Sequence, residues 1–468
     1  MLESAPAPAG LTLTRAAGVR VAEGGRVLVG GSPPRLLRLS DDGATLAIRW
    51  FDGAPVGGTV SERNLARRLL DAGMVHPRPS AGLVGAQVWC VMPVRDEPGT
   101  PLVASAAAAP YPAIVVDDGS ATPVSHGTPN VEVIRRTTSG GPGVARNDGA
   151  WRAHELGAEF VAFVDADVDA HAGWIDDLLG HFLDPMIAAV APRVRAAYGT
   201  TALQRYEATF PSLDLGAEPS LVGPGRSVSY VPSAALIVRT SAFAAIGGFD
   251  ADLRFGEDVD LVWRLVAEGQ QVRYEPRVEV WHRARDDWKS WRTQRQAYGS
   301  SAAALATRHG EAVAPARAPF GVYVATASAL VAPAPVAVGL GAVELIAADH
   351  RVKASLGEHH DPTLVRAGLV AAARTTALAC VRAWLPFTGA AVLAGRRLRR
   401  GIVGLVIGAV VAEAAASPRH LGWIRTVGLR VLDHGAYGIG VWQGLRRVGR
   451  RGMGAIRPAV SRRGVRAD

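Results

Sequence analysis

The chain has 468 residues, enough for two or three domains, with 49% apolar residues and a mean hydropathy of +0.14, high for a soluble protein. Its only cysteines, Cys90 and Cys380, exclude a disulfide framework or a cysteine metal cluster and fit a reducing compartment. The net charge of +9 belongs to the tail: residues 396–468 hold 15 arginines against 3 acidic residues, which leaves the rest of the chain slightly acidic. Met1-Leu2-Glu3-Ser4 offers neither a basic start nor an apolar run, so no secretory signal is expected.

Residues 1–82 read as a small α+β module. Arg26–Gly30 and Arg35–Leu39 are short strands around a Gly31-Ser32-Pro33-Pro34 turn. Ser40 is placed to cap a helix over 41–50, with Asp41 and Asp42 in its first turn. A second helix, 62–70, puts Leu65, Leu69 and Leu70 on one face before Asp71-Ala72-Gly73 stops it. Two strands and two helices in this order form a winged-helix arrangement. A nucleic-acid partner is not expected: the first 80 residues hold 10 arginines against 7 acids, and no helix carries a basic stripe. The stretches LLRLSDDGATLAIRWFDG and LARRLLDAGMVHP resemble PqqD-like domains. That resemblance implies recognition of a peptide or peptide-derived molecule by strand addition.

Residues 77–85 form a linker. From 83 to about 310, apolar strands alternate with amphipathic segments, as in an α/β sheet domain. Val88–Val94 runs into Arg95, Asp96 and Glu97. Ile114–Val116 ends in Asp117-Asp118-Gly119-Ser120, and Phe160–Val164 ends in Asp165-Ala166-Asp167. Three successive parallel strands ending in carboxylates gather those groups along one edge, where open α/β sheets bind ligands. A nucleotide-sugar diphosphate needs counter-charge as it leaves, and oxygen-ligated Mg²⁺ or Mn²⁺ supplies it. Asp165 and Asp167, two apart, can address one ion, and His282, after another apolar strand, is a candidate third ligand. Asp117 or Asp118 could accept from the base or ribose. Arg146, in the Gly-rich segment 139–147, is a candidate nucleotide contact.

Gly247-Gly248-Phe249-Asp250 precedes Glu257-Asp258, which opens an apolar helix containing Trp263. Asp258 is the candidate general base for an acceptor hydroxyl, with Glu257 as its catalytic neighbour. Gly248, Phe249, Asp250 and Trp263 are expected on the acceptor side.

VMPVRDE, VVDDGS, GGPGVARN, DAD and GGFDADLRFGEDVDLVWRL, in this order over residues 87–300, resemble the family-2 glycosyltransferases of GT-A fold. The resemblance implies an inverting, metal-dependent hexosyltransferase. Pro93, Arg95, Asp96, Glu97, Asp117, Asp118, Arg146 and Asp165 would lie at the donor, Asp165 and Asp167 would bind the metal, and Asp258 would be the base. Asp96 departs from the Asn common at its position. A PqqD-like module ahead of such a domain resembles the mycofactocin glycosyltransferases within that family. This implies premycofactocin as acceptor, UDP-glucose as donor and a β-1,4-linked glucan product. A membrane glycosyltransferase of cell-envelope polysaccharide or lipid-linked acceptors is the alternative.

Residues 311–468 read as a hydrophobic and basic helical region. Phe320–Val343 is a 24-residue stretch without charge, long enough to span a bilayer, with Pro333 and Pro335 inside it. The runs 383–395 and 401–412 are too short to span and read as interfacial or hairpin helices flanked by Arg396, Arg397, Arg399 and Arg400. Basic flanks stay on the cytoplasmic side. The expected location is therefore the cytoplasmic face of an anionic membrane, with a helical bundle in the cytoplasm as the alternative.

Overall fold

The computed structural model describes residues 5–79, 82–96, 110–124, 130–197, 199–415, 422–461 and 466–467. The chain divides into two compact units. One holds everything up to Ala197 together with Pro211–Arg283; the other holds the helix Ala202–Thr209 and the chain from Ala284 onward.

The first unit begins with β1 (Thr12–Arg15), β2 (Arg20–Ala22), β3 (Val27–Gly30), β4 (Arg35–Arg38), α1 (Asp41–Phe51), α2 (Val60–Asp71) and β5 (Val75–Arg78). β2, β3 and β4 form an antiparallel meander, and β1 pairs with β5. The Ser40 hydroxyl accepts from the Gly43 N–H at 3.2 Å, capping α1 as its sequence predicts. Leu28, Leu37, Trp50, Leu69, Leu70 and Met74 fill the core between helices and strands. β5 takes Pro77 and Arg78 from the expected linker. Its Pro77, opposite Leu13, is tolerated because the pair has only one ladder to satisfy.

The sheet domain follows as β6 (Val88–Val94), β7 (Ala113–Asp117), β8 (Val131–Arg135), α3 (Pro142–Glu155), β9 (Phe160–Val164), β10 (Val168–Ala170), α4 (Trp174–Leu179) and β11 (Ile187–Ala196). After α5 (Ala202–Thr209), it resumes with β12 (Ser220–Val222), β13 (Ala235–Arg239), α6 (Thr240–Ala245), α7 (Glu257–Ala267) and β14 (Gln271–His282). The strands form one nine-stranded sheet in the order β10-β14-β11-β13-β9-β6-β7-β8, with β12 also on β14. β6, β7, β8 and β9 are mutually parallel, so their carboxylate-bearing ends share one edge. This is a mixed α/β sheet, as the resemblance to GT-A domains implies.

The amino-terminal module is clamped to this sheet domain. Both carboxylate oxygens of Asp184 accept from Arg67 Nη2 at 2.7 Å, and Gln271 donates to Asp71 at 2.6 Å. Arg226 donates to the Ser32 carbonyl at 2.7 Å. Arg67 and Asp184 are both buried, so the pair is shielded from solvent screening.

The second unit is helical: α5, then α8 (Trp288–His309), α9 (Phe320–Val331), α10 (Ala334–Leu356), α11 (Pro362–Val381), α12 (Leu385–Ala394), α13 (Arg396–Ala415) and α14 (Trp423–Val448). The expected domain boundary at residue 310 is thus too late, because α8 packs here. Gly440 and Gly444 of α14 let its backbone rest on the Gln296 and Ser300 carbonyls of α8, closer than any side chain would allow. Tyr206 on α5 donates to Asp433 at 2.6 Å, and Asp433 also meets Arg295 Nε at 2.9 Å. The uncharged stretch 320–343 is not one helix. Ala332, extended at φ −92° and ψ 161° before Pro333, separates α9 from α10. Among the described residues no single helix is long and apolar enough to cross a membrane; Val365–Val381 and Leu385–Ala394, bent by 80°, pass that test only as a pair.

Candidate active site

A cavity of about 300 Å³ opens at the carboxyl ends of β6 and β9, against the start of α3. Of the residues expected at the donor, Pro93, Arg95, Asp118, Arg146 and Asp165 line it, as does Asp167. Ser139, Gly141, Arg254 and Phe255 complete the polar and apolar walls. Glu97 lies outside the described residues.

The two acids after β7 have different positions. Asp117 is fully buried behind the wall. Its oxygens accept from the Ser120 N–H at 2.8 Å, the Val124 N–H at 3.1 Å and the Arg135 guanidinium. Those donors hold its carboxyl below the usual range against the opposing effect of burial, the largest single influence. Asp117 therefore shapes the loop and is not itself on the wall. Asp118 reaches the cavity, and it also accepts from the Ser139 hydroxyl at 2.7 Å and the Gly140 and Gly141 N–H groups at 2.8 and 2.9 Å. Asp96 stands beside the cavity in left-handed conformation, φ 56°, and its Oδ1 accepts from the Ala121 N–H at 2.8 Å. Asp and Asn are the non-glycine residues that best tolerate this conformation, which accounts for an Asp in the place of an Asn.

Arg146 joins the strand acids to the helix acids. It is 3% exposed, with Nη2 at 2.5 Å from Asp165 Oδ1 and Nη1 at 3.1 Å from Glu257 Oε1. Its guanidinium lies over the Phe249 ring, 5.7 Å from the centroid. Next to it, Asn147 exchanges two hydrogen bonds with the Phe249 backbone, each 2.8 Å, pinning the Gly247–Asp250 turn to α3. Gly248, at φ +74°, is required there: a Cβ would stand 2.6 Å from Asn147 Oδ1.

Glu257 and Asp258 open α7 after Gly256, which caps it in left-handed conformation at φ 78°. Glu257 is buried and Asp258 half-buried. Asp258 Oδ1 accepts from the Val259 N–H at 2.7 Å. Burial pushes the Glu257 carboxyl up to about 7, helped by the Asp258 charge and opposed by Arg146. Burial likewise raises Asp258, with the Val259 N–H and Arg146 opposing it. Both neighbouring carboxyls are thus held above their ordinary range, as groups at functional sites often are.

At the other end of the cavity, Asp167 Oδ2 is 3.3 Å from His282 Nε2, because β10 pairs with β14 in a register that sets Val168 opposite His282. A carboxylate of this kind suits a hard cation such as Mn²⁺ or Mg²⁺, and the facing imidazole could serve as a second ligand to Mn²⁺ more readily than to Mg²⁺. Asp165 faces Arg146 instead, and among the described residues no three such side chains converge as a metal cluster. Asp167 and His282 are the two side chains that could hold an ion here.

The acceptor-side expectations divide. Gly248 and Asp250 belong to the pinned turn, and Asp250 Oδ1 accepts from the Asp252 N–H at 2.9 Å. Phe249 is in the core, edge-on to Phe163 and Phe243 with centroids 5.3 and 5.7 Å away. Trp263 is buried and donates its indole N–H to the Ser229 carbonyl at 2.7 Å. Neither aromatic lines the cavity, since the turn and α7 direct them inward. Arg254 and Phe255, which do line it, belong to the GGFDADLRFGEDVDLVWRL motif, which assigns neither of them a role. The left-handed glycine just after them was the available signal.

Residues 98–243 match the glycosyl transferase family 2. The chain is 37% identical to the pre-mycofactocin glycosyltransferases of Mycobacterium tuberculosis strains CDC 1551 and H37Rv, over 94% of this chain and 96% of theirs. Among solved structures, similarity extends to GalNAc-T7 with UDP, GalNAc and Mn²⁺, at 16% identity and TM-score 0.33, covering 46% of this chain and 45% of that one. It also extends to S. aureus TarS 1–349 with UDP, at 18% identity and TM-score 0.30, covering 46% and 65%.

Proposed function

The chain belongs to the pre-mycofactocin glycosyltransferase family, and we propose that it moves glucose from UDP-glucose onto premycofactocin with inversion, extending a β-1,4-linked glucan. The observation that carries the chemistry is the Asp165–Arg146–Glu257 chain, which sets the donor-side acids and the start of α7 in one rigid frame.

In this reading Asp258 accepts the proton of an acceptor hydroxyl. The hydroxyl oxygen then forms its bond to the sugar C1 from the face opposite the nucleotide. The C1–oxygen bond to the diphosphate breaks, and its electron pair leaves with UDP. Glu257 holds Arg146 and shares the proton balance of the pair. Asp118 and Arg95 line the nucleotide end. Asp167 and His282 would hold a divalent cation, which when bound neutralises charge on the departing diphosphate. The amino-terminal module recognises the peptide-derived acceptor in the PqqD-like manner, and its clamp through Arg67 and Asp184 keeps it at a fixed distance from the sheet.

The test is mass spectrometry of the full chain incubated with Mn²⁺ or Mg²⁺, a panel of UDP-, GDP- and dTDP-sugars, and either premycofactocin or a polyprenyl-linked acceptor. Hexose added to premycofactocin from UDP-glucose alone is the expected result. Transfer only to the lipid-linked acceptor would move the activity to envelope synthesis.

A further inference from the structure

Within the helical unit, α9 and α10 run as an antiparallel hairpin. Gly321, early in α9, lies directly against the Glu344 carboxylate of α10, and the turn falls at Ala332-Pro333. From Phe320 to Val343 there is no charged side chain. Yet Phe320, Val336, Val338, Val343 and Ile346 are 49–71% exposed. So much exposed apolar helix surface needs a cover.

The charge beside the hairpin identifies that cover. Gly401 of α13 rests on the Leu330 backbone, next to the hairpin turn, and Arg396, Arg397, Arg399 and Arg400 precede it by one to five residues, all exposed. No acidic residue occurs between Asp361 and Glu413. The hairpin is thus bordered by four cations with no acid in their own segment. A second copy of the chain would cover the apolar face, but this segment would bring it no counter-charge. Anionic lipid supplies both the apolar phase and the phosphates.

We infer that the α9–α10 face docks side-on to an anionic bilayer, with Arg396, Arg397, Arg399 and Arg400 on lipid phosphates. A turn-first insertion would carry the guanidinium groups deepest, where they are costly. Side-on docking leaves them at headgroup level, as in interfacial helices. This docking is independent of the sugar and the acceptor.

Co-sedimentation of the full chain with phosphatidylcholine vesicles, with and without phosphatidylglycerol, tests it. The chain should sediment with the anionic vesicles. Replacing the four arginines by Gln should lower its partition coefficient by roughly 10²-fold or more on those vesicles. A separate variant, Val338→Asp with Val343→Asp, should weaken binding to both compositions. UDP-glucose hydrolysis in the same samples reports that each variant is folded; its absence from the wild type, with vesicle binding intact, would count against the proposed transfer alone. Failure of the wild type to sediment, indifference to both variants, or a dimer in analytical ultracentrifugation that Val338→Asp breaks without any vesicle binding would each overturn the inference.

Discussion

Arg146 and Glu257, 111 positions apart, meet at 3.1 Å in a buried pair, and the same guanidinium holds Asp165 at 2.5 Å. The planar fork lets one cation serve two carboxylates on different elements, one at the end of β9 and one at the start of α7. A change at the end of β9 is therefore felt at the start of α7, and the reverse.

Arg146→Lys keeps the charge but offers a single compact ammonium. It is expected to lose one of the two carboxylates and let α7 shift relative to β9. Misplacement of about 1 Å can cost on the order of 10²-fold in rate. The kcat of transfer should fall by roughly ten- to a hundred-fold with a smaller change in donor affinity, read by steady-state kinetics and isothermal titration with UDP. Equal kinetics in Arg146→Lys would remove Arg146 from the frame.

If Asp258 is the base, as proposed, Asp258→Asn should leave UDP binding near normal and lower transfer by about 10²-fold or more, because the acceptor proton would lose its recipient. The wild-type pH profile should carry a matching sign. Burial raises the Asp258 carboxyl, so with Asp258 as the base kcat/KM should climb with pH above the ordinary carboxylate range. Arg146 pulls the Asp258 carboxyl down; Arg146→Met should move the acid limb to higher pH. Stability runs the other way. Glu257 binds its proton more tightly folded than unfolded, so its ionisation costs folding free energy as pH rises from about 4.5 towards 7. Thermal melts of Glu257→Gln against wild type should diverge over that window and agree below it.

Much of this site could be read in the sequence because its chemistry is local. Asp165-Ala166-Asp167 follows an apolar strand, and Glu257-Asp258 follows a glycine that opens a helix. The parallel strands β6, β7 and β9 put the first group where the pattern of apolar runs implied. What escaped depends on contacts between distant segments. The Arg146–Glu257 pair and the Asn147–Phe249 exchange span more than 100 residues, and no spacing rule reports them. Phe249 and Trp263 were misplaced for a related reason. An aromatic beside a glycine turn or an acid dyad faces ligand or core according to the neighbouring element, here α3 and the Phe163–Phe243 cluster. α8 was credited to the sheet domain because its glycine-lined seam with α14 pairs segments some 140 residues apart.

Asp167 and His282 form the pair suited to a cation, whereas Asp165 is committed to Arg146. Asp167→Asn and His282→Ala should therefore each raise the Mn²⁺ concentration that half-saturates activity, by roughly ten-fold or more, since each removes one ligand or its orienting partner. Paramagnetic broadening by Mn²⁺ gives a readout independent of turnover. Asp165→Asn should instead behave like a lesion of the Arg146 frame, with kcat lowered more than metal affinity. A metal profile for Asp165→Asn as poor as that of Asp167→Asn would show that Asp165 turns from Arg146 to the ion during the reaction.

The clamp between the amino-terminal module and the sheet domain rests on Arg67, buried with its Nη2 on both oxygens of Asp184 and its Nε on the Ala5 carbonyl at 2.8 Å. Arg67→Ala strands the buried Asp184 carboxylate, a loss of about 3–5 kcal/mol when one partner of such a pair is removed. Calorimetry should show either a lower Tm or a separate, earlier transition for the module. Removing both partners, Arg67→Met with Asp184→Leu, relieves the stranded charge and should recover most of the stability, though not the fixed orientation. If the module positions the acceptor, the double variant will hydrolyse UDP-glucose like wild type yet use premycofactocin with a higher KM. Unchanged acceptor KM in a stable double variant would reduce the clamp to a purely structural contact.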